Sequence, residues 1–504
     1  MKTKIIRNIF ITGVMMTALF SCSEDFLEVK PTGNALEDSY YTNEAEATSA
    51  LVAVYDIMGF NSSSFDNIIS FFNAGSDDNY GASAPGDAIS LFSFYQLNPT
   101  NMPRAFWSNH YQGIFRANTL LNKLPGIPMD GSLKVRYAAE CKAMRAYYHF
   151  NLVRMFGNVP LMTTTITPSE AQTYPQSKPE DVYAQIEKDL KEAILGLPAT
   201  INVTTEGGRW AKGGAQAMLG KVLLYEKKYT EAAAQLAQVN GTPGGTSQYG
   251  YKLLTNFKDL WVHKNKFNSE SIVEAVHTDA GKSEWWTNSW GTEGNILNIM
   301  VGIRDYTRTA GSTAPDYFSG WGINTVTQEL YDVMKNDPRF GATIIDVKAL
   351  IASGQVQGYG SVNSVNTNTG YFMAKFVPLK SDATTNGSDQ SLNFYQDTYI
   401  IRLADTYLME AEALGGTGAR AQALLDAVRA RVGLASVPVS LDAIALERRK
   451  ELACEGHRYF DLIRTGKAAT VLASRGFKAG VNELLPIPTK ELENTVFKQN
   501  PGYN

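Results

Sequence analysis

Residues able to do chemistry gather in two kinds of place. The first is Leu441–Lys467, LDAIALERRKELACEGHRYFDLIRTGK, where Glu447, Glu451 and Glu455 recur every four residues among Arg448, Arg458, Asp461 and Arg464, beside a lone His457. A carboxylate row with a histidine could serve general acid–base catalysis, but that work needs a pocket open to substrate. The spacing points to burial instead. Taken as a helix that Gly456 breaks, the segment sets Leu441, Ile444, Ala445 and Leu452 on one face, with Arg448 and Glu455 on the same face. A charge on a packing face has to be paired, since an unpaired one is strongly unfavourable or is neutralised. Carboxylates four residues apart also repel one another unless cations lie across them. The expectation is a buried ion network built from Arg448, Glu451, Glu455, Arg458 and Asp461, with Arg145 as a second buried arginine.

The second kind of place is aromatic and polar. Segment 281–322 holds Trp285, Trp286, Trp290 and Trp321, four of the seven tryptophans, with Tyr306 and Tyr317 beside them. An indole presents an apolar face with a polar rim, which suits the C–H face of a sugar ring whose hydroxyls turn to Asp, Asn or Arg. Local packing of the segment is the other reading, and composition leaves both open. Segment 61–102, containing FNAGSDDNYGASAPGDAISLFSFYQLNPTN, adds Asp77, Asp78 and Tyr80 as further ligand-binding candidates. Adjacent Asp77 and Asp78 do not establish the spaced carboxylate pair that glycoside hydrolysis uses, so binding without turnover is expected. CxxC, HExxH and His-rich spacings are absent from the sequence, and neither a metal nor a cofactor is expected.

The elements that must carry these residues read as helices. Ala47, Ala50, Leu51, Val54 and Met58 recur at helical spacing, as do Trp107, Tyr111, Ile114 and Leu121. Leu133–Phe156 is a third helix, containing Arg145 and ended by Gly157 and Pro160, and Asp181–Leu197 is a fourth. Ala215–Leu223 and Ala232–Val239 form a small-residue helix pair around a tight turn, as tetratricopeptide repeats do, and Ile400–Ala411 with Ala421–Val432 repeat the pattern. Four pairs can be drawn at irregular spacing. The fold class is therefore mainly all-α, a scaffold of tetratricopeptide-like helix pairs with insertions 61–102, 281–322 and 354–391. The last is Ser/Thr/Asn/Gly-rich and supplies minor β-structure in runs such as Tyr371–Val377. Scaffold helices bury their side chains, so function is sought in the insertions.

At the N-terminus, Lys2, Lys4 and Arg7 precede the apolar run Ile9–Phe20, which is too short to span a bilayer. The following Leu19-Phe20-Ser21-Cys22 resembles a bacterial lipoprotein signal, which implies removal of residues 1–21, lipidation of Cys22 and a single domain over 22–504. The Ser-Glu-Asp after Cys22 is similar to a signal for export to the cell surface. Cys141 and Cys454 remain, each within an expected helix; they are buried thiols or a disulfide. A net charge of −4 without a basic tail gives no sign of nucleic-acid binding.

Several separated motifs carry a resemblance. DFLEVKP, RANTLLNKL, MRAYYHF followed by FGNVPL, YIIRLADTYLMEAEAL, the ERRKELACEGHRYFDLIRTG stretch and ELLPIPTKELE before NPGY stand in the order that resembles the SusD/RagB family of Bacteroidetes outer-membrane lipoproteins. The resemblance implies a surface lipoprotein that binds a glycan, or in some members a peptide, and sits as a lid on a SusC-type TonB-dependent transporter. It also implies a helical base, ligands held by loops, and a structural task for the C-terminal charged stretch. A purely structural transporter-associated protein is the remaining alternative.

Overall fold

The computed structural model describes residues 40–286, 293–360 and 367–503. Residues 1–21, Cys22 and Trp290 lie outside them. Helix α1 (Glu44–Ser63) starts where Asn43 accepts a hydrogen bond from the Glu46 amide, and a short turn joins it to α2 (Ile68–Ala74). Then follow α3 (Ala105–Lys123), α4 (Gly131–Phe156), α5 (Pro179–Gly196), α6 (Lys212–Tyr225) and α7 (Tyr229–Asn240). Helix α4 is capped by Asp130, which accepts from the Ser132 and Leu133 amides, and its residues from Tyr137 to Phe156 are almost all buried. Gly157, at φ +70°, lets the chain leave it.

After strand β1 (Ser271–Ala275) come short strands β2 (Thr307–Arg308), β3 (Ile344–Asp346), β4 (Val356–Gly358) and β5 (Tyr371–Met373). Strand β6 (Thr398–Arg402) then leads into α8 (Leu403–Ala413), α9 (Gly418–Arg431), α10 (Leu441–Glu451) and α11 (Arg458–Arg464). Each expected pair packs: α1 on α3, α4 on α5, α6 on α7, α8 on α9. Successive pairs also touch, through α3 on α4, α5 on α6 and α7 on α8, which makes the scaffold continuous.

One hydrophobic core runs through these helices, and a second lies under the insertions, around Ile296–Val301, β3, β5 and Trp261. The β-structure is three two-stranded antiparallel ladders, β1 with β6, β2 with β4 and β3 with β5.

Three expectations are corrected. Ile400 does not open a helix: β-branched Ile400 and Ile401 belong to β6, paired with β1, and α8 begins at Leu403. Leu441 is exposed, because the buried face of α10 is Ile444, Glu447, Arg448 and Glu451, so ion pairs occupy more of it than apolar side chains do. Helix α10 stops at Glu451, ahead of Gly456, and Cys454 sits in the turn with φ +67°. Cys454 and Cys141 are both buried free thiols.

Candidate functional site

The charged stretch becomes a set of buried ion pairs joining parts of the chain that are far apart in sequence. Arg448 lies 2.8 Å from Asp405 of α8 and 3.1 Å from Asp461 of α11. Glu451 faces Arg339 at 2.8 Å, Arg402 at 2.6 Å and also Arg431, while Glu455 takes Arg402 and Lys375, each at 2.7 Å. Glu447 meets Arg339 and Arg429 at 2.7 and 2.9 Å. The carboxylate row is thus crossed by cations from other segments. Burial alone would raise the Glu451 carboxyl, but Arg431, Arg402 and Arg339 hold it well below the ordinary range. In the helical half, Arg145 donates two hydrogen bonds to Asp189 and others to Asn118 and the Thr163 carbonyl. His457 is kept neutral: burial and then Lys221 push its imidazole down to about 4.

The loop carboxylates expected at a ligand belong to this network instead. Asp77 receives Arg458 through two hydrogen bonds, at 2.8 and 3.0 Å, and Asp78, 1% exposed, is 2.8 Å from Arg449. Tyr80 is held between Phe94 and the Arg475 guanidinium, 4.4 Å above its ring. Tyr306 is also moved from ligand to packing: it is buried, donates to the Pro315 carbonyl at 3.0 Å and meets Tyr317 edge to face. The arginines of Asp77 and Asp78 are distant in sequence, and the Tyr306 hydroxyl is used within its own segment. A cavity of about 900 Å³ lined by Arg448, Arg449, Arg458 and Arg464 has its guanidiniums engaged in the same way, and the tryptophans do not line it.

Three aromatic rings come together elsewhere. Phe65, in the turn between α1 and α2, stacks on Trp321 with centroids 5.6 Å apart and planes 3° from parallel. Trp285 leans across both, 6.2 Å from Phe65 and 6.0 Å from Trp321, at 40° and 39°. All three are half-buried, resting on the second core. Trp286, next in the chain, is 96% exposed. An offset aromatic stack with solvent on one side offers flat apolar area without giving up its own packing.

Each insertion helps to hold this group. Trp285 donates its indole N–H to Ser391 at 3.1 Å, and Ser391 in turn donates to Asp389. Two hydrogen bonds between Ser283 and Asn393 fix the turn that presents Trp285 and Trp286. Trp321 is tied through its amide to the Ile299 carbonyl at 2.9 Å. Next to it Gly320 packs against Gly302 so closely that a Cβ would overlap the Ile299 carbonyl and Gly302 itself.

Sequence reasoning missed two residues here, Phe65 and Asp66. Asp66 is half-buried, its carboxyl is raised by burial, and among the described residues it has neither a hydrogen bond nor an ion pair. A desolvated acceptor next in sequence to one of the stacked rings is suited to a hydroxyl-bearing guest.

Fold and site together define a helical-repeat scaffold that carries a half-buried aromatic cluster on its insertions. Residues 240–503 match the family described as "SusD family", and residues 25–224 one described as "Starch-binding associating with outer membrane". The chain therefore belongs to the SusD family. A solved structure named "Laminarin binding SusD-like protein" is 57% identical, with a TM-score of 0.89 over 92% of this chain and all of that one. Surface glycan-binding protein A from Bacteroides thetaiotaomicron, in complex with laminarihexaose, is 25% identical, with a TM-score of 0.79 over 91% of this chain and 100% of that one. A SusD-like protein of Bacteroides ovatus is 25% identical over 92% of this chain and 82% of its own length.

Proposed function

We propose that this protein is a cell-surface lipoprotein that binds a glucan of the laminarin type without altering it and passes it to a SusC-type TonB-dependent transporter. The observation that carries the proposal is the Phe65–Trp321–Trp285 cluster at the meeting point of the insertions, with Trp286 and Asp66 next in sequence to two of its rings. Its rings stack on pyranose faces, and the Asp66 carboxylate accepts a hydroxyl. Similarity to a laminarin-binding relative at 57% identity, and to one solved with laminarihexaose, supports the choice of glucan.

In this reading residues 1–21 are removed, residues 22–504 are the mature unit, and lipid on Cys22 holds it to the outer membrane. No helix among the described residues is long and apolar enough to do so. The test is calorimetry of the mature chain with laminarin, starch and a peptide pool, followed by product analysis after long incubation. Binding of laminarin with no shortened product is expected; failure to bind laminarin while another polymer binds would overturn the choice of glucan.

A further inference from the structure

The stacked rings lie close to a carboxylate without a counter-charge. Asp66 follows Phe65 directly, so its Cα is about 3.8 Å from that of a residue whose ring belongs to the cluster. Burial raises the Asp66 carboxyl, and among the described residues no neighbouring charge shifts it in either direction. Its own stretch of chain holds no cation to pair with: residues 31–103 contain nine Asp and Glu and no Lys, Arg or His. His277 reaches Ser62 and Ser63, just ahead of Phe65, at 3.4 and 3.3 Å. Burial and then Lys266 push its imidazole down to about 3, so it is neutral, and Lys266 itself lies 2.8 Å from Asp397.

The other arms of the cluster do not reverse this sign. Glu284 precedes Trp285, and Asp389 accepts from Ser391, whose hydroxyl takes the Trp285 indole N–H. Arg304 lies against Gly322, the neighbour of Trp321, and is 3.7 Å from the exposed carboxylate of Asp305. Lys282 is exposed to solvent, where its charge is well screened. Half-buried Asp66 is screened less than either cation.

We propose that Asp66 makes this platform selective for uncharged glycans and turns away chains bearing carboxylate or sulfate groups, an inference that rests on the cluster being a glycan site. An ionised Asp66 accepts a hydroxyl but meets an anionic substituent as a like charge, and partial desolvation strengthens that repulsion. Discrimination between ligands of similar shape comes as readily from such a repulsive contact as from an attractive one.

The test compares two lightly substituted laminarins with substituents of similar size, hydroxyethyl and carboxymethyl, by calorimetry at pH 8. At low salt the wild-type protein should bind the carboxymethyl polymer on the order of tenfold more weakly than the hydroxyethyl one. At about 1 M salt, where the Debye length is about 3 Å, the two should bind alike. Asp66→Asn should reduce the low-salt gap severalfold, and Asp66→Ser serves if that variant does not fold. Equal wild-type affinities at low salt, including no binding of either derivative by a protein that binds laminarin, would overturn the proposal, as would a gap that Asp66→Asn leaves intact. Wild-type protein that binds neither derivative nor laminarin itself would overturn the reading of the cluster as a glucan site, and the selectivity with it.

Discussion

Trp321 and Trp285 pack on the second core with part of each ring and leave the rest to solvent, so truncating either removes stacking area more than support. Trp321→Ala or Trp285→Ala is expected to weaken laminarin binding by about thirtyfold, roughly 2 kcal/mol, while Tyr306→Phe leaves affinity unchanged. Calorimetry with circular dichroism as a fold control checks this; parental affinity in both folded tryptophan variants would move the platform elsewhere. Asp66→Asn keeps the shape and removes the charge. It should cost on the order of tenfold, with full binding by the variant excluding Asp66 as a hydroxyl partner. The gathering of Trp285 and Trp321 was legible because the concentration of tryptophans in a polar segment is visible in composition alone. Asp66 was not, since its meaning lies in having no partner. The ion pairs of Asp77 and Asp78 were hidden for the opposite reason: their arginines lie 381 and 371 residues further along the chain.

Between the elements, the ion network performs what a hydrophobic seam does in a simpler fold. Helix α10 turns Glu447, Arg448 and Glu451 inward and meets α8, β6 and α11 through them. Burying these charges is costly, and they are tolerated because each has several partners. Arg448→Ala would leave Asp405 and Asp461 facing each other with less compensation, and burial alone pushes both carboxyls up. A loss of about 3–5 kcal/mol in stability is expected, read by chemical denaturation, and an unchanged midpoint would place Arg448 outside the scaffold. The helix pairs could be read from the sequence because a 3.6-residue apolar period is local. Strand β6 could not, because its pairing with β1 spans more than a hundred residues and its Ile400 and Ile401 also fit the period of the helix that follows.

Across the whole molecule, one consequence of so many buried ionisable groups is a marked response to acid. All five histidines have lowered imidazoles, first through burial: His110, His149 and His277 are pushed to about 3, His263 and His457 to about 4. Below about 6.5 the unfolded chain takes up protons that the folded chain refuses, so this contribution is complete above 6.5 and is lost as pH falls. At pH 5 that is on the order of 2 kcal/mol for each histidine. Asp405, Asp461, Glu451 and Glu455 are held low by their arginines and lysines against burial, and they extend the loss below about pH 4. Glu274 and Asp397 act in the opposite sense: burial raises them to about 8 and about 6, so they favour the fold as pH drops through those values. Five histidines outweigh two carboxyls between pH 6.5 and 5. The urea midpoint should therefore be lower at pH 5 than at pH 7, and lower again at pH 3.5; an equal or higher midpoint at pH 5 would show that the histidines are not buried in the neutral form.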